Sequence, residues 1–292
     1  MAKDLLNCSS AEYFARPEVN NSSMKCFRQA GPWSYYHNCE CRSISEPKRS
    51  DAMRIGSLFH KHMECLTLGE QLIDHCHVLP AEMDGEPINN RKPAHREYLS
   101  TFKEDAEKSN TVWATEDEVY QVLNMCETAV NSGAANDLMS AKGLIPEAVA
   151  TNRIEDIDGE LGTLLEDVDE DVDVKAMSDL YHPDNNVLVD FKTTRCADSS
   201  AFTREAIFKY GYHFQAAHYC DVFEAKQFFI IAVRNFEPYE TMVYEVPPAL
   251  IEEAREINHD TLRQIRDCRE LGTWHSPGWG KVITLEKDYD KK

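Results

Sequence analysis

The run Val187-Leu-Val-Asp-Phe-Lys-Thr-Thr194 limits the fold of this chain more than any other segment. Side chains alternate along a strand, so Val187, Val189 and Phe191 point to one face while Asp190 and Lys192 share the other, about 6–7 Å apart. The apolar face needs a core beneath it, and the polar face sets an acid beside an amine. Upstream, Val172–Leu180 reads as a second strand that ends at Asp179, and Pro183-Asp184-Asn185-Asn186 has the residues of a turn. Paired as a hairpin, these two strands put Asp179 beside Asp190.

The rest of the chain divides near Pro146. After it, Glu147–Ile154 is the first of the three strands, and Asp158-Gly159 and the acidic stretch Glu166–Asp173 separate it from the second. Helical patterns follow at Ser200–Lys209 and Tyr212–Glu224. Strands Gln227–Arg234 and Thr241–Val246 then flank the turn Asn235-Phe236-Glu237-Pro238, and Pro247-Pro248 opens a helix that runs to about Leu271. Before Pro146 the patterns are helical. A short helix at Ser22–Ala30, capped by Ser22 or Ser23, breaks at Gly31-Pro32. A helix over Asp51–Leu68 carries Phe59, Met63 and Leu66 on one stripe and Gly56, His60 and Glu64 on its neighbour. Residues 69–95 read as a loop. Helices follow at Ala94–Lys108 and Glu116–Asn131, the second capped by Thr115-Glu116-Asp117-Glu118. This order predicts an α/β fold with a central mixed sheet flanked by helices over 146–292, joined to a mainly helical part over 1–145 in a single domain spanning 1–292.

Composition bears on partners and compartment. No apolar run approaches the ~20 residues of a membrane span, and the first residues lack the apolar stretch of a signal peptide, so the expectation is a cytoplasmic protein with no membrane association. The ten cysteines form no CxxC pair, which fits reduced thiols; Cys39 and Cys41 with His37 are a weak metal candidate. A net charge of −20, from 31 basic and 51 acidic side chains, argues against nucleic acid, since DNA affinity comes largely from Lys and Arg neutralising phosphates. A groove can nonetheless carry the opposite sign to the total.

Two carboxylates converging with a lysine suit phosphodiester hydrolysis. Mg²⁺, or Mn²⁺ in its place, takes oxygen ligands and binds through only one or two carboxylates plus phosphate. Such an ion polarises the phosphoryl oxygen and acidifies the attacking water. Free lysine is too basic to act as a general base at neutral pH, so Lys192 suits an electrostatic or water-orienting role. A bare Asp-x-Lys on a strand fits a surface ion pair equally well.

Four motifs in order distinguish these readings: Gly56-Ser-Leu-Phe-His60 on a helix, Ser178-Asp179, Val189-Asp190-Phe191-Lys192-Thr193-Thr194, and Tyr212-His213-Phe214-Gln215-Ala-Ala-His218-Tyr219. Together they resemble the RecE-type (exonuclease VIII) branch of the PD-(D/E)XK nuclease superfamily over roughly residues 10–280, including the aromatic tail Trp274–Trp279. The resemblance implies a PD-(D/E)XK nuclease core. His60, Asp179, Asp190 and the backbone carbonyl of Phe191 would bind the metal, with Glu147 a further acidic residue of the site. Lys192 would be the catalytic lysine. Gln215 and Tyr219, one helical turn apart, would face the scissile nucleotide, with Thr193 and Arg195 also against DNA. Ser178 stands where the family has proline, and the acidic stretch Glu166–Asp173 is not a feature of the family; it reads as a solvated loop or as a mimic of the substrate.

Plainer readings accompany several of these. His60 fits a core histidine, Gln215 and Tyr219 fit helix-to-sheet packing, and Arg195, Arg204 and Lys209 fit solvated surface as well as phosphate contacts. His213 and His218 have no support outside their motif. The resemblance further implies a Mg²⁺-dependent exodeoxyribonuclease that degrades linear double-stranded DNA from its ends, 5′→3′. It would leave 3′ single strands for an annealing protein in recombination, and would form a ring-shaped homo-oligomer. Two alternatives are an iron–sulfur exonuclease of the CRISPR-associated type, disfavoured because only Cys268 lies late in the chain, and a catalytically inactive or regulatory DNA-binding module on the same core.

Overall fold

The computed structural model describes residues 4–43, 51–109, 111–154 and 171–275. In chain order they form β1 (Asp4–Leu6), α1 (Ser10–Ala15), α2 (Asn21–Tyr35), α3 (Asp51–Leu68), β2 (Cys76–Leu79), β3 (Glu82–Met83), β4 (Glu86–Pro87), α4 (Pro93–Lys108), β5 (Val112–Thr115), α5 (Glu116–Asn131) and α6 (Gly133–Met139). The remaining elements are β6 (Ile145–Ile154), β7 (Val172–His182), β8 (Val187–Thr194), α7 (Ser199–Arg204), α8 (Tyr212–Phe223), β9 (Gln227–Arg234), β10 (Thr241–Glu245) and α9 (Pro248–Leu271). Six strands make the central sheet in the order β1-β6-β7-β8-β9-β10. Neighbours are antiparallel except β8 and β9, which run parallel and are joined by a crossover through α7 and α8. The mixed sheet expected from the order of patterns is present.

Each face of the sheet has its own core. On one, Leu188, Phe228, Ile230 and Ala232 pack with Met24 and Phe27 of α2, Ala216, Ala217 and Phe223 of α8, and Ile251 and Leu262 of α9. On the other, Val187, Val189, Phe191, Ile231 and Val233 pack with Leu58, Phe59 and Met63 of α3 and Val122 and Met125 of α5. Burial on both faces explains why β8 and β9 read as nearly continuous apolar runs. It also explains the cost of placing Asp190 there, since an ionised carboxylate leaves water only when its charge is compensated.

The N-terminal half is more than helical decoration. β1 pairs with β6 at the sheet edge (Leu5↔Ala150), and Val19 bridges Val174 of β7. Lys175, 2% exposed, reaches back to this segment: its Nζ donates to the carbonyls of Tyr13 at 2.6 Å and Arg16 at 2.7 Å and lies 4.7 Å from the centre of the Tyr13 ring. The 69–95 loop contains the short strands β2, β3 and β4, and β2 pairs in parallel with β5. Strands of two to four residues are too short for periodicity to register. The break at Gly31-Pro32 is a kink: Gly31 takes φ 85, ψ 172, and the helix resumes to Tyr35 before a π-helical turn at Tyr36–Glu40. Asn20, rather than Ser22 or Ser23, caps α2 in a reciprocal box with Ser23.

Asp158-Gly159 and residues 166–170 of the acidic stretch lie outside the described residues; of its remainder, Asp171 pairs with Arg153 at 2.7 Å. Of the aromatic tail only Trp274 and His275 are described, and Trp274 stacks on Tyr35 with ring centres 5.6 Å apart. No helix among the described residues is long and apolar enough to cross a membrane.

Candidate active site

β7 and β8 pair only beside their turn, at His182↔Val187, Tyr181↔Leu188 and Leu180↔Val189. Beyond that rung β7 continues along β6 and β8 along β9, so the sheet forks. Asp179 and Asp190 are the first residues past the last rung, one on each arm. Val19 occupies the edge of β7 that β8 vacates, accepting from the Lys175 N–H at 2.9 Å and donating to the Asp173 carbonyl at 3.0 Å. The hairpin expected from the turn residues is therefore present and ends where the two acids begin.

The pleat also changes phase here. Val174, Ala176 and Tyr181 of β7 face the α2–α8 core, whereas Leu180 faces the α3–α5 core. In β6, Ala148, Ala150 and Ile145 face the first core. The odd–even alternation thus slips across Glu147 and Asp179, which the rungs Pro146↔Leu180 and Ala148↔Ser178 place opposite each other. Glu147 takes φ 46, a left-handed conformation that a non-glycine residue keeps only where its surroundings hold it.

Helices supply the remaining groups. From α3, His60 Nδ1 lies 3.0 Å from Asp179 Oδ1, while Asp179 Oδ2 accepts the Phe191 N–H at 2.6 Å. The stripe Gly56–His60–Glu64 explains the approach: at Gly56 the helix passes close to β8, where a methyl group would meet Thr193 Oγ1 at 3.7 Å. From α8, Gln215 Nε2 donates to Asp190 Oδ1 at 2.7 Å. Lys192 Nζ lies 2.5 Å from Asp190 Oδ2 and 5.0 Å from the centre of the Tyr212 ring. Asp190 Oδ2 is fully buried, and beyond this ion pair it accepts no well-aligned hydrogen bond.

The charges are poorly balanced. Burial pushes the Glu147 carboxyl up to about 8, helped by the neighbouring charges of Asp179 and Glu64. Burial likewise raises Asp190, and Asp179 adds to the effect, although Lys192 opposes it. Burial opposes ionisation of Asp179 too, yet His60, Lys192 and the Phe191 amide outweigh it and hold this carboxyl below its usual range. Burial disfavours the His60 cation, but Asp179 outweighs that and raises it. Three carboxylates and one imidazole are donor types suited to a hard divalent cation, whose charge would relieve the repulsion and draw together ligand atoms that do not lie within 4.8 Å of one another as a group of three.

The structure brings Glu147, Asp179, Asp190, Lys192, His60 and the Phe191 backbone together. It sends other residues elsewhere. The sequence reading faces Gln215 toward the scissile nucleotide, but its amide is directed at Asp190. Tyr219, one helical turn from Gln215, is half-buried, with its ring centre 6.0 Å from that of Phe228. Thr193 is half-buried under α3, and Arg195 and Arg204 are exposed. Lys209 pairs with Glu205 at 2.8 Å. His218 is buried with Nε2 2.9 Å from the Lys175 carbonyl oxygen, a structural role. His37 Nδ1 lies 3.7 Å from Cys41 Sγ, but Cys39 does not complete a three-ligand cluster among the described residues, and all ten cysteines are free thiols.

Three neighbours were not legible as site residues. Tyr212 underlies Lys192. Glu64 acts on Glu147, and its place on the His60 stripe was the available signal. Lys25 of α2 donates to the Tyr210 carbonyl at 3.1 Å, and burial, then Arg28 and Lys192, lower its pKa. No local pattern marks Lys25, because its proximity to Lys192 is purely tertiary.

Comparison with known proteins agrees with this architecture. The crystal structure of a protein from Eubacterium rectale named “Putative exonuclease” aligns over 97% of this chain and 96% of its own, with a TM-score of 0.56 and 15% identity, which shows a shared fold. A phage-related exonuclease from Haemophilus somnus 129PT aligns over 88% of this chain and 96% of its own, at 14% identity and a TM-score of 0.32. No protein with curated annotation matches the chain. The model of one family matches residues 22–278, a span that contains both arms of the fork and all the helices bearing on it: the chain belongs to the PDDEXK-like domain of unknown function DUF3799.

Proposed function

We propose that this protein is a Mg²⁺-dependent exodeoxyribonuclease that hydrolyses linear double-stranded DNA from its ends. The observation that carries this reading is the convergence of Asp179, Asp190 and Lys192 at the fork between β7 and β8, with Asp190 buried and held by the Lys192 ammonium. Asp179, Asp190, His60, Glu147 and the Phe191 carbonyl would hold the ion, with Mn²⁺ an acceptable substitute. The cation would polarise the phosphoryl oxygen and lower the pKa of the attacking water.

The chain's own residues have separate tasks. The Lys192 ammonium orients the water and offsets charge that develops on the phosphoryl group. Gln215 fixes one oxygen of Asp190 so that the other faces Lys192, and Tyr219, one turn further along the same helix, would lie toward the DNA side. His60 donates Nδ1–H to Asp179, which leaves only Nε2 for a metal. Lys25, whose charge is felt by Lys192, would add positive potential for phosphates, and Thr193 and Arg195, at and just past the end of β8, would meet the DNA beyond the fork. The finer reading, of RecE type, is 5′→3′ degradation that leaves 3′ single strands for an annealing protein in recombination, by a ring-shaped homo-oligomer. A ring would let basic groups line a channel while the outer wall keeps the net charge of −20.

The test is digestion of end-labelled linear duplex with Mg²⁺, with circular duplex and single strands alongside and EDTA and Lys192→Ala as controls. Cleavage of the linear duplex alone, lost in both controls, is expected. A Lys192→Ala protein as active as the wild type would sink the assignment, and so would equal digestion of circular DNA sink the end-dependence.

A further inference from the structure

The far end of α3 carries a second cluster that the carboxylate site does not use. Cys65, Glu70 and His75 bring a thiol sulfur, a carboxylate oxygen and an imidazole nitrogen within 4.8 Å of one another. The backbone builds this convergence. α3 ends at Leu68, Gly69 turns the chain at φ 72, and the Glu70 N–H closes back on the Cys65 carbonyl at 2.8 Å. A 3-10 turn at Leu72–Asp74 then returns His75, whose Nε2 lies 2.8 Å from Glu70 Oε2. Cys65 is buried and Glu70 exposed, so the cluster opens from the protein interior to solvent.

A second observation points at a ligand. His62, one turn before Cys65 and 9% exposed, lines with Glu70 a mostly apolar cavity of about 350 Å³ that Cys65 and His75 do not line, and its Nδ1 is buried with no hydrogen-bond partner. A neutral imidazole nitrogen left unsatisfied costs free energy unless something binds it. A water in that cavity, including one held by a cation bound at Glu70, would use it.

The donor set selects the metal. Thiolate and imidazole favour Zn²⁺ over Mg²⁺ or Ca²⁺, and a mixed sulfur, nitrogen and oxygen set is tolerated in its tetrahedral sites. Ligand atoms on one tetrahedral Zn²⁺ stand about 3.5 Å apart, so binding would draw the cluster together slightly. The cluster is distinct from the fork: Cys65 lies roughly 140° around α3 from His60 and about 7.5 Å along it. We propose that Cys65, Glu70 and His75 form a zinc site that clips the end of α3 to the chain entering β2. Binding converts the Cys65 thiol to thiolate and releases its proton to solvent.

Cobalt distinguishes this site from the carboxylates, because only a sulfur ligand gives an intense thiolate-to-cobalt band in the near ultraviolet. Chelator-stripped full-length protein, titrated with Co²⁺, should show that band at one equivalent, and Zn²⁺ should abolish it. The band should persist in Asp190→Asn and vanish in Cys65→Ser and His75→Ala. Glu70 is exposed, so Glu70→Gln keeps the fold; it should weaken Zn²⁺ binding at least about tenfold and remove the rise in Tm that Zn²⁺ gives the wild type. Absence of the band in the wild type, or its survival in Cys65→Ser or Glu70→Gln at wild-type affinity, would overturn the proposal. None of these readouts depends on nuclease activity.

Discussion

Asp179 accepts the Phe191 N–H at 2.6 Å across the fork, so a side chain on one arm completes the ladder that the backbone cannot continue. The same carboxylate holds His60. Structural and chemical duties of Asp179 should therefore separate by substitution. Asp179→Ala is expected to lose cleavage and also about 1–3 kcal/mol of stability, because a backbone donor loses its partner. Asp179→Asn keeps an acceptor oxygen and should lose cleavage with most of the stability retained. Urea melts beside the digestion assay read the difference; equal destabilisation by both variants would refute it.

Lys192→Ala should lower the cleavage rate by about 10²–10³-fold, the usual scale for a group that stabilises developing charge. Isothermal titration should still detect Mg²⁺, since the carboxylates remain. Loss of ion binding in this variant would mean that Lys192 acts by organising the metal ligands.

Gln215→Leu tests whether the amide positions Asp190 or reads DNA. With its donor gone, the Asp190 carboxyl should rise further, moving the acidic limb of the rate–pH profile upward. A kcat reduced about 10–100-fold with little change in KM is expected. A raised KM with unchanged kcat and pH profile would restore the DNA-contact role.

Much of the site was legible because it is local. The Asp190–Lys192 spacing, the turn Pro183–Asn186 and the His60 stripe depend on strand and helix periodicity, which the sequence displays directly. Gln215 was found, but its direction was not, since a helix periodicity gives a face and not the atom it meets. Lys25 and Lys175 were invisible for another reason: each acts on residues distant in the chain, Lys25 on Tyr210 and Lys175 on Tyr13 and Arg16. The slip of the pleat at Glu147 was hidden too, because alternation in β6 looks regular until the packing on each face is known.

Acid should destabilise the protein through His218. Burial lowers its pKa from 6.5 to about 4 in the folded state. Between these values the unfolded chain binds the proton and the folded one does not, so stability present above pH 6.5 falls as the pH drops toward 4. The loss is on the order of 3 kcal/mol at most. His218→Gln, which retains an N–H donor for the Lys175 carbonyl, should flatten this part of the stability–pH curve. An unchanged slope in that variant would assign the acid sensitivity to other groups.

Lys175 and Val19 bear on how this nuclease-like half could be used in isolation. A fragment cut at the helical–strand boundary near residue 146 would leave one arm of β7 bare and an interior ammonium with neither carbonyl to hold it. Such a piece would expose a sticky sheet edge and a stranded cation together. The half that carries the fork is thus not a portable cassette, and residues 4–20 are part of the scaffold that keeps the two acids in place.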